Sequence, residues 1–145
     1  MLTKIKNVYY CEHCGRHRLT PNSIKKHEPG CTLNHDRVCG VCEERTGLAM
    51  PELLAKYKDR FVVNEGVDGR GYYSRSSEWT REPITLNELR DDTEGCPVCM
   101  LAVIRQCDLN NSPGDFSSFR YQEEHKEYWD ERNAACSDEM RYYLV

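Results

Sequence analysis

Three Cys-x-x-Cys pairs, Cys11/Cys14, Cys39/Cys42 and Cys96/Cys99, constrain this chain more than any other feature. Two residues between cysteines let a tight turn aim both sulfurs at one point, as a tetrahedral metal requires. The cysteine count of nine is odd, and the paired spacing argues for reduced thiolates rather than a secreted disulfide framework. The chain also needs staples of this kind. Leu, Ile, Val and Phe together make up less than a fifth of its 145 residues, a content typical of disorder or of a small fold held by something besides an apolar core. The net charge of −4 is too small to force the chain open.

The first pair opens the pattern Cys11-x2-Cys14-x12-His27-x3-Cys31. Zinc accepts both thiolate and imidazole. The spacing between His27 and Cys31 places them one helical turn apart on one face. Thr20 reads as an N-cap and Pro21 as the first helical position. Pro29-Gly30 ends the helix before the last ligand, and Tyr9 and Tyr10 read as a short preceding strand. The segment CEHCGRHRLTPNSIKKHEPGC resembles a C2HC-type zinc finger in its C-x-x-C-G-R opening and its K-H-E-x-x-C close. The resemblance implies zinc and a ββα unit, with nucleic acid or protein as partner. The family usually carries a large apolar residue soon after the second Cys. Arg18 and Leu19 occupy that stretch here, so the small core is expected to rest on Leu19 and Ile24.

Cys39-x2-Cys42 and Cys96-x2-Cys99 read as a second, four-cysteine zinc site. Residues 43–95 separate the two pairs, so a subdomain must fold between them. His35, four positions before Cys39, is a rival ligand. Gly40 and Pro97 favour tight turns beside the thiolates. Within the insert, residues 48–61 read as a helix with Leu53, Leu54, Tyr57 and Phe61 inward. Residues 61–63 and 71–75 read as strands flanking a turn-rich break. Thr85 and Glu88 form a capping box that opens a short helix. Residues 100–107 read as an apolar helix or buried segment, and 116–135 as a long polar helix with Phe116, Phe119, Tyr128 and Trp129 on its inner side. Cys107 and Cys136 remain as small buried hydrophobes, substitute ligands or a redox pair. The fold expected is a small α+β one with a mostly helical C-terminal half, divided as 1–34 and 35–145 and holding two zinc ions. Chelation is expected to unfold most of it.

For function, charge gives the first lead. Within residues 1–38, Lys4, Lys6, Arg16, Arg18, Lys25, Lys26 and Arg37 outnumber Glu12, Glu28 and Asp36, whereas the remainder is acidic. A basic head suits nucleic acid. The finger positions that read bases fall on Thr20, Ser23 and Lys26, a poor reading set, so Arg16, Arg18, Lys25 and Lys26 are expected to hold phosphates. Arg70, Tyr72, Tyr73 and Arg75 interleave aromatic and cationic side chains, as stacking on unpaired bases requires; the competing reading packs these tyrosines on the core. An adaptor that binds a protein partner is the alternative, favoured by the acidic stretch 123–131 and the tail Tyr142-Tyr143-Leu144-Val145.

Catalysis is not expected, and no small-molecule substrate is evident. A metal-assisted nuclease of the His-Asn-His type would need a catalytic histidine between or beside the knuckles; residues 43–95 contain none, and the nearest candidate, His35 in Asn34-His35-Asp36-Arg37, lies before the second site with no clear following helix. The deaminase signature fails because its H-x-E match, His125-Lys126-Glu127, follows every Cys pair. No apolar run is long enough for a membrane span, and the N-terminus lacks a secretory apolar stretch. The expected location is intracellular, either cytoplasmic or with the nucleic acid in a nucleus or nucleoid.

Overall fold

The computed structural model describes residues 6–42 and 48–142, with side chains as far as residue 135. Lys4, the side chain of Cys136 and the tail Tyr142–Val145 therefore lie outside the described side chains. Two strands, β1 (Tyr9–Tyr10) and β2 (His17–Arg18), pair antiparallel and lead into α1 (Pro21–His27). Thr20 caps α1 by accepting the Ser23 N–H at 3.3 Å, and Pro21 opens it, which satisfies one orphan donor and wastes none. The buried cluster of this unit is Cys11, Ile24 and Cys31, with Tyr9 and Cys14 against it. Leu19 is 58% exposed, so the expected Leu19 contact is corrected: strand β2 ends at Arg18 and turns Leu19 outward. Tyr9 supplies the large apolar side chain from the strand before the Cys pair.

The body begins with α2 (Met50–Tyr57), whose Glu52 carboxylate accepts the Ala49 N–H at 2.9 Å. The helix stops sooner than its apolar pattern suggests. Lys58 is extended and Asp59 left-handed at φ 55, so Phe61 starts β3 (Phe61–Val67) instead of closing the helix. Strand β3 pairs antiparallel with β4 (Tyr73–Trp79), register Phe61↔Trp79 to Val67↔Tyr73. Both strands outrun the sequence expectation. Asn64, Glu65 and Gly66 are poor strand formers alone, but the ladder and the turn enforce pairing. The Asp68 carboxylate accepts the N–H groups of Arg70 and Tyr72, each at 2.9 Å, and Gly71 takes φ +83.

Helix α3 (Leu86–Asp92) starts at Thr85, whose hydroxyl accepts the Glu88 N–H. Helix α4 (Pro97–Gln106) begins earlier than expected and takes Cys99 into its first turn. Phe116 sits in a separate 3-10 turn, Asp115–Ser118, and α5 (Tyr121–Tyr142) starts only after Phe119 extends the chain. Tyr128 is buried on α5, while Trp129 is largely outward. Leu53, Tyr57, Leu89, Met100, Val103, Ile104, Leu109 and Phe116 form a core with almost no exposure. That core is more extensive than the low aliphatic content suggests, because α2, α3 and α4 spend nearly all of their apolar residues on it.

An ion pair ties α2 to α3. The Asp92 carboxylate accepts from Lys56 Nζ at 2.6 Å and from the Tyr57 hydroxyl at 2.7 Å. Burial pushes the Asp92 carboxyl up, but these two donors outweigh it and hold the group below its ordinary 3.8. Lys56 is held above its ordinary 10.5, its carboxylate partners outweighing burial. A depressed acid contributes stability above its unfolded value and loses it as pH falls; a raised base contributes below its unfolded value and loses it as pH rises. The clamp is therefore complete between those limits. Asp92→Asn is expected to cost about 1–3 kcal/mol, by a margin that stays flat in urea unfolding between about pH 6 and 9. A margin that drifts in that window would contradict the pair.

Candidate metal centres

The first set is built from three local structures. The turn joining β1 to β2 carries Cys11 and Cys14, closed by Gly15 N–H to Cys11 O at 3.0 Å and Cys11 N–H to Arg16 O at 2.9 Å. Gly15 adopts φ +68 there, a conformation that disfavours a side chain. Helix α1 ends on His27. A 3-10 turn, Glu28–Gly30, then carries the chain to Cys31, whose N–H donates to Glu28 O at 3.2 Å. The ligand atoms of Cys11, Cys14, His27 and Cys31 lie within 4.8 Å of one another, with Cys14 Sγ 3.3 Å from His27 Nε2.

In the second set, Cys39 and Cys42 come from an irregular turn and Cys96 and Cys99 from the start of α4. Cys96 is the N-cap and Pro97 the first helical residue. Pro97 thus serves as a helix opener rather than a free turn former, and the positive end of the helix faces two sulfurs. Cys39 Sγ is 3.7 Å from Cys96 Sγ, and Cys42 Sγ is 3.5 Å from Cys99 Sγ.

These separations identify the chemistry. A disulfide needs sulfurs about 2.05 Å apart. Bonds of about 2.3 Å to a tetrahedral zinc place them about 3.8 Å apart. The second set matches the second geometry, and the four donor atoms of the first, all within 4.8 Å of one another, converge as the same ion requires. The titration of the thiols leads to the same conclusion. Hydrogen bonds from Cys96 and Cys99 drive Cys39 far down, helped by the N–H groups of Val41 and Cys42. Its neighbours pay for that charge: hydrogen bonding with Cys39 and Cys96 raises Cys99 far above the thiol range, and burial, then the Cys96 charge, pushes Cys42 up to about 12. At the first set burial pushes Cys14 up, but His27 and the Arg16 backbone bring it down to about 6, while burial raises Cys31. A divalent cation at each centre removes this conflict, since a metal-bound thiol is deprotonated outright. Two zinc sites per chain are the fit for these donors.

No protein-family model, no curated protein and no solved structure matches this chain.

All eight expected ligands converge. His35 does not: its side chain is exposed and pairs with Asp36 at 3.1 Å. Cys107 is buried against α2, its thiol pushed up to about 11 by burial. Arg16, Arg18, Lys25 and Lys26 are all exposed on the N-terminal unit. The reading that packed the hairpin tyrosines on the core is corrected: Tyr72 is 71% and Tyr73 64% exposed, because only Phe61, at the strand base, and Trp79 reach the core. Arg70 lies in the turn between the strands, and Arg75 pairs across them with Glu65 at 3.3 Å.

Arg37 is the residue that sequence reasoning placed wrongly. It belongs to a basic run, yet it is buried, 7% exposed. Its guanidinium donates to Val98 O at 3.2 Å, to Cys99 Sγ at 3.7 Å and to Gly30 O at 3.4 Å. It thus joins the segment leaving the first metal set to the helix holding the second. Gln106 and Arg105 extend the junction: Gln106 Nε2 donates to the carbonyls of Thr32 and Asn34, and Arg105 donates to the Thr32 hydroxyl at 3.0 Å.

Proposed function

We propose that this chain is a non-catalytic, intracellular zinc protein that contacts nucleic-acid phosphates through its N-terminal unit. One observation carries the reading. Lys6, Arg16, Arg18, Lys25 and Lys26 are exposed, and among the described residues none of them enters an ion pair. On the body Lys56, Arg75, Arg90 and Lys126 face carboxylates, and the exposed cations outside these pairs, such as Lys58, Arg81 and Arg120, are spread over separate elements instead of clustering on one short unit. Cations kept free of carboxylates suit an external anion. The ββα build and the Cys3His donor set support reading residues 11–31 as a C2HC-type zinc finger. Each metal set offers four protein donors, which leaves no coordination position for a reacting water and supports a structural role for zinc. Among the described residues no helix is long and apolar enough to cross a membrane.

The adaptor reading draws on the projecting β3–β4 hairpin, where Val62, Val67, Tyr72 and Tyr73 are exposed. Titration with single- and double-stranded oligonucleotides from about 50 to 200 mM salt separates the two. Phosphate contact predicts binding that weakens steeply with salt. Lys25→Ala/Lys26→Ala should weaken all sequences alike and flatten the slope of log affinity on log salt by about two. If neither strand nor duplex binds at the lowest salt, the phosphate reading is wrong and the adaptor reading stands.

A further inference from the structure

Between the first metal set and the body lies an open cleft of about 410 Å3. Cys14, His27 and Cys31 form one end of it. The rest is lined by Arg16, Thr32 and Leu33 from the N-terminal unit and by Leu101, Arg105 and Tyr121 from α4 and α5. The space extends well beyond a single ion and falls within the range of small-ligand sites. No carboxylate lines it. A loaded set of three thiolates, one neutral imidazole and one divalent zinc carries a net charge of −1. The arginines, one from each structural unit, are therefore the full positive charges of the cleft, and Arg105 is steadied by its bond to the Thr32 hydroxyl.

The remaining wall includes one aromatic side chain, Tyr121. Tyr121 is 38% exposed at the start of α5. Its ring lies 5.6 Å from the His125 ring, and His125 in turn accepts the Trp129 Nε1–H at 3.2 Å. Tyr121, His125 and Trp129 thus stack as a column at successive turns of α5. Leu101 and Leu33 complete the apolar side. One aromatic ring, two leucines and two arginines in a single cleft match a planar base joined to a phosphate.

We propose that this cleft holds one unpaired nucleotide of a single strand, its base against Tyr121 and its phosphate between Arg16 and Arg105. The proposal rests on the nucleic-acid reading above and narrows it from phosphate contact in general to single strands. A base within a duplex is stacked on both faces and cannot present one to Tyr121.

The test uses the full, zinc-loaded chain with a thymidine strand of about ten nucleotides, long enough for one site, and the same sequence as a duplex. Tyr121→Ala should weaken strand binding by about 5- to 150-fold and leave duplex binding within twofold. Tyr121→Phe, which keeps the ring, should bind as the parent does. Should Tyr121→Ala lose helical circular dichroism, Tyr121→Leu keeps the apolar contacts without the aromatic face and carries the same expectation. Undiminished strand binding by a folded Ala or Leu variant, an equal loss on duplex, or a parent that binds only duplex would overturn the cleft. Lys25→Ala/Lys26→Ala would still weaken binding in those cases, so the phosphate reading would survive. A parent that binds neither probe overturns both.

Discussion

Stripping zinc with a strong chelator should unfold residues 9–38 outright while the helical body keeps much of its circular dichroism. The N-terminal unit has little else to hold it. Its buried cluster is Ile24 with two ligand sulfurs, Cys11 and Cys31, and full burial of one aliphatic side chain is worth only about 1.5–3 kcal/mol. Structural zinc contributes about 10–16 kcal/mol of apparent binding free energy in finger peptides, as much as the whole net stability of a typical domain, about 5–15 kcal/mol. The body differs. Its core holds Cys42, Cys96 and Cys99 but also Leu53, Leu89, Met100, Val103, Ile104, Leu109 and Phe116, apolar side chains that pack on one another, so loss of the ion there should free chiefly the turn with Cys39 and Cys42 and the first turn of α4. The low aliphatic content alone points to loss of most of the chain, and the packed body narrows that expectation. Amide spectra resolved by residue check it, with metal analysis giving two zinc ions per parent chain and one in Cys14→Ser. Unchanged spectra would show that the sulfurs do not carry the N-terminal unit, and a single collapse of both parts together would show that the body depends on its ion as well.

How far the fold was legible follows from the range of the forces involved. Metal sets are written in the sequence because thiolate pairs at fixed spacing have few other uses, and even the long gap from Cys42 to Cys96 did not hide their partnership. Local caps were equally legible: Thr20 and Thr85 satisfy N–H groups only three residues away. Where the structure departs from expectation, a long-range term wins. Phe61 completes the apolar stripe of α2, but the left-handed Asp59 turns it into a strand base packed edge-on against Trp79, with ring centroids 6.1 Å apart. Gly66 and its polar neighbours look like a loop until cross-strand pairing with residues 73–79 is known. Tyr121, with Arg105 and Leu101, became a cleft wall only through the docking of α4 against residues 30–37, which no periodicity announces.

That docking makes Arg37 the second residue whose loss should be felt widely. Arg37→Met preserves most of the volume and removes the three donated hydrogen bonds. Val98 O and Gly30 O then lie without those donors, and Cys99 loses a cation 3.7 Å from its sulfur. Four thiolates around a divalent ion carry two excess negative charges, so the guanidinium offsets part of that excess where solvent is scarce. Removing one partner of a buried charged contact costs about 3–5 kcal/mol. Arg37 Nε has no protein partner, which trims the gain the native residue delivers, so about 2–3 kcal/mol is the better figure. Lysine should not restore the loss, because one ammonium group cannot span acceptors on Gly30, Val98 and Cys99 in the fixed fork of a guanidinium. Urea unfolding of the zinc-loaded chain measures the stability, and chelator competition measures zinc retention. Arg37→Met should release one of its two ions more readily than the parent does. An exposed comparison, Arg18→Met, should stay within about 0.5 kcal/mol. If Arg37→Met matches Arg18→Met in both measurements, the junction is not held by Arg37, and the unit boundary must be carried by Gln106 and Arg105 alone.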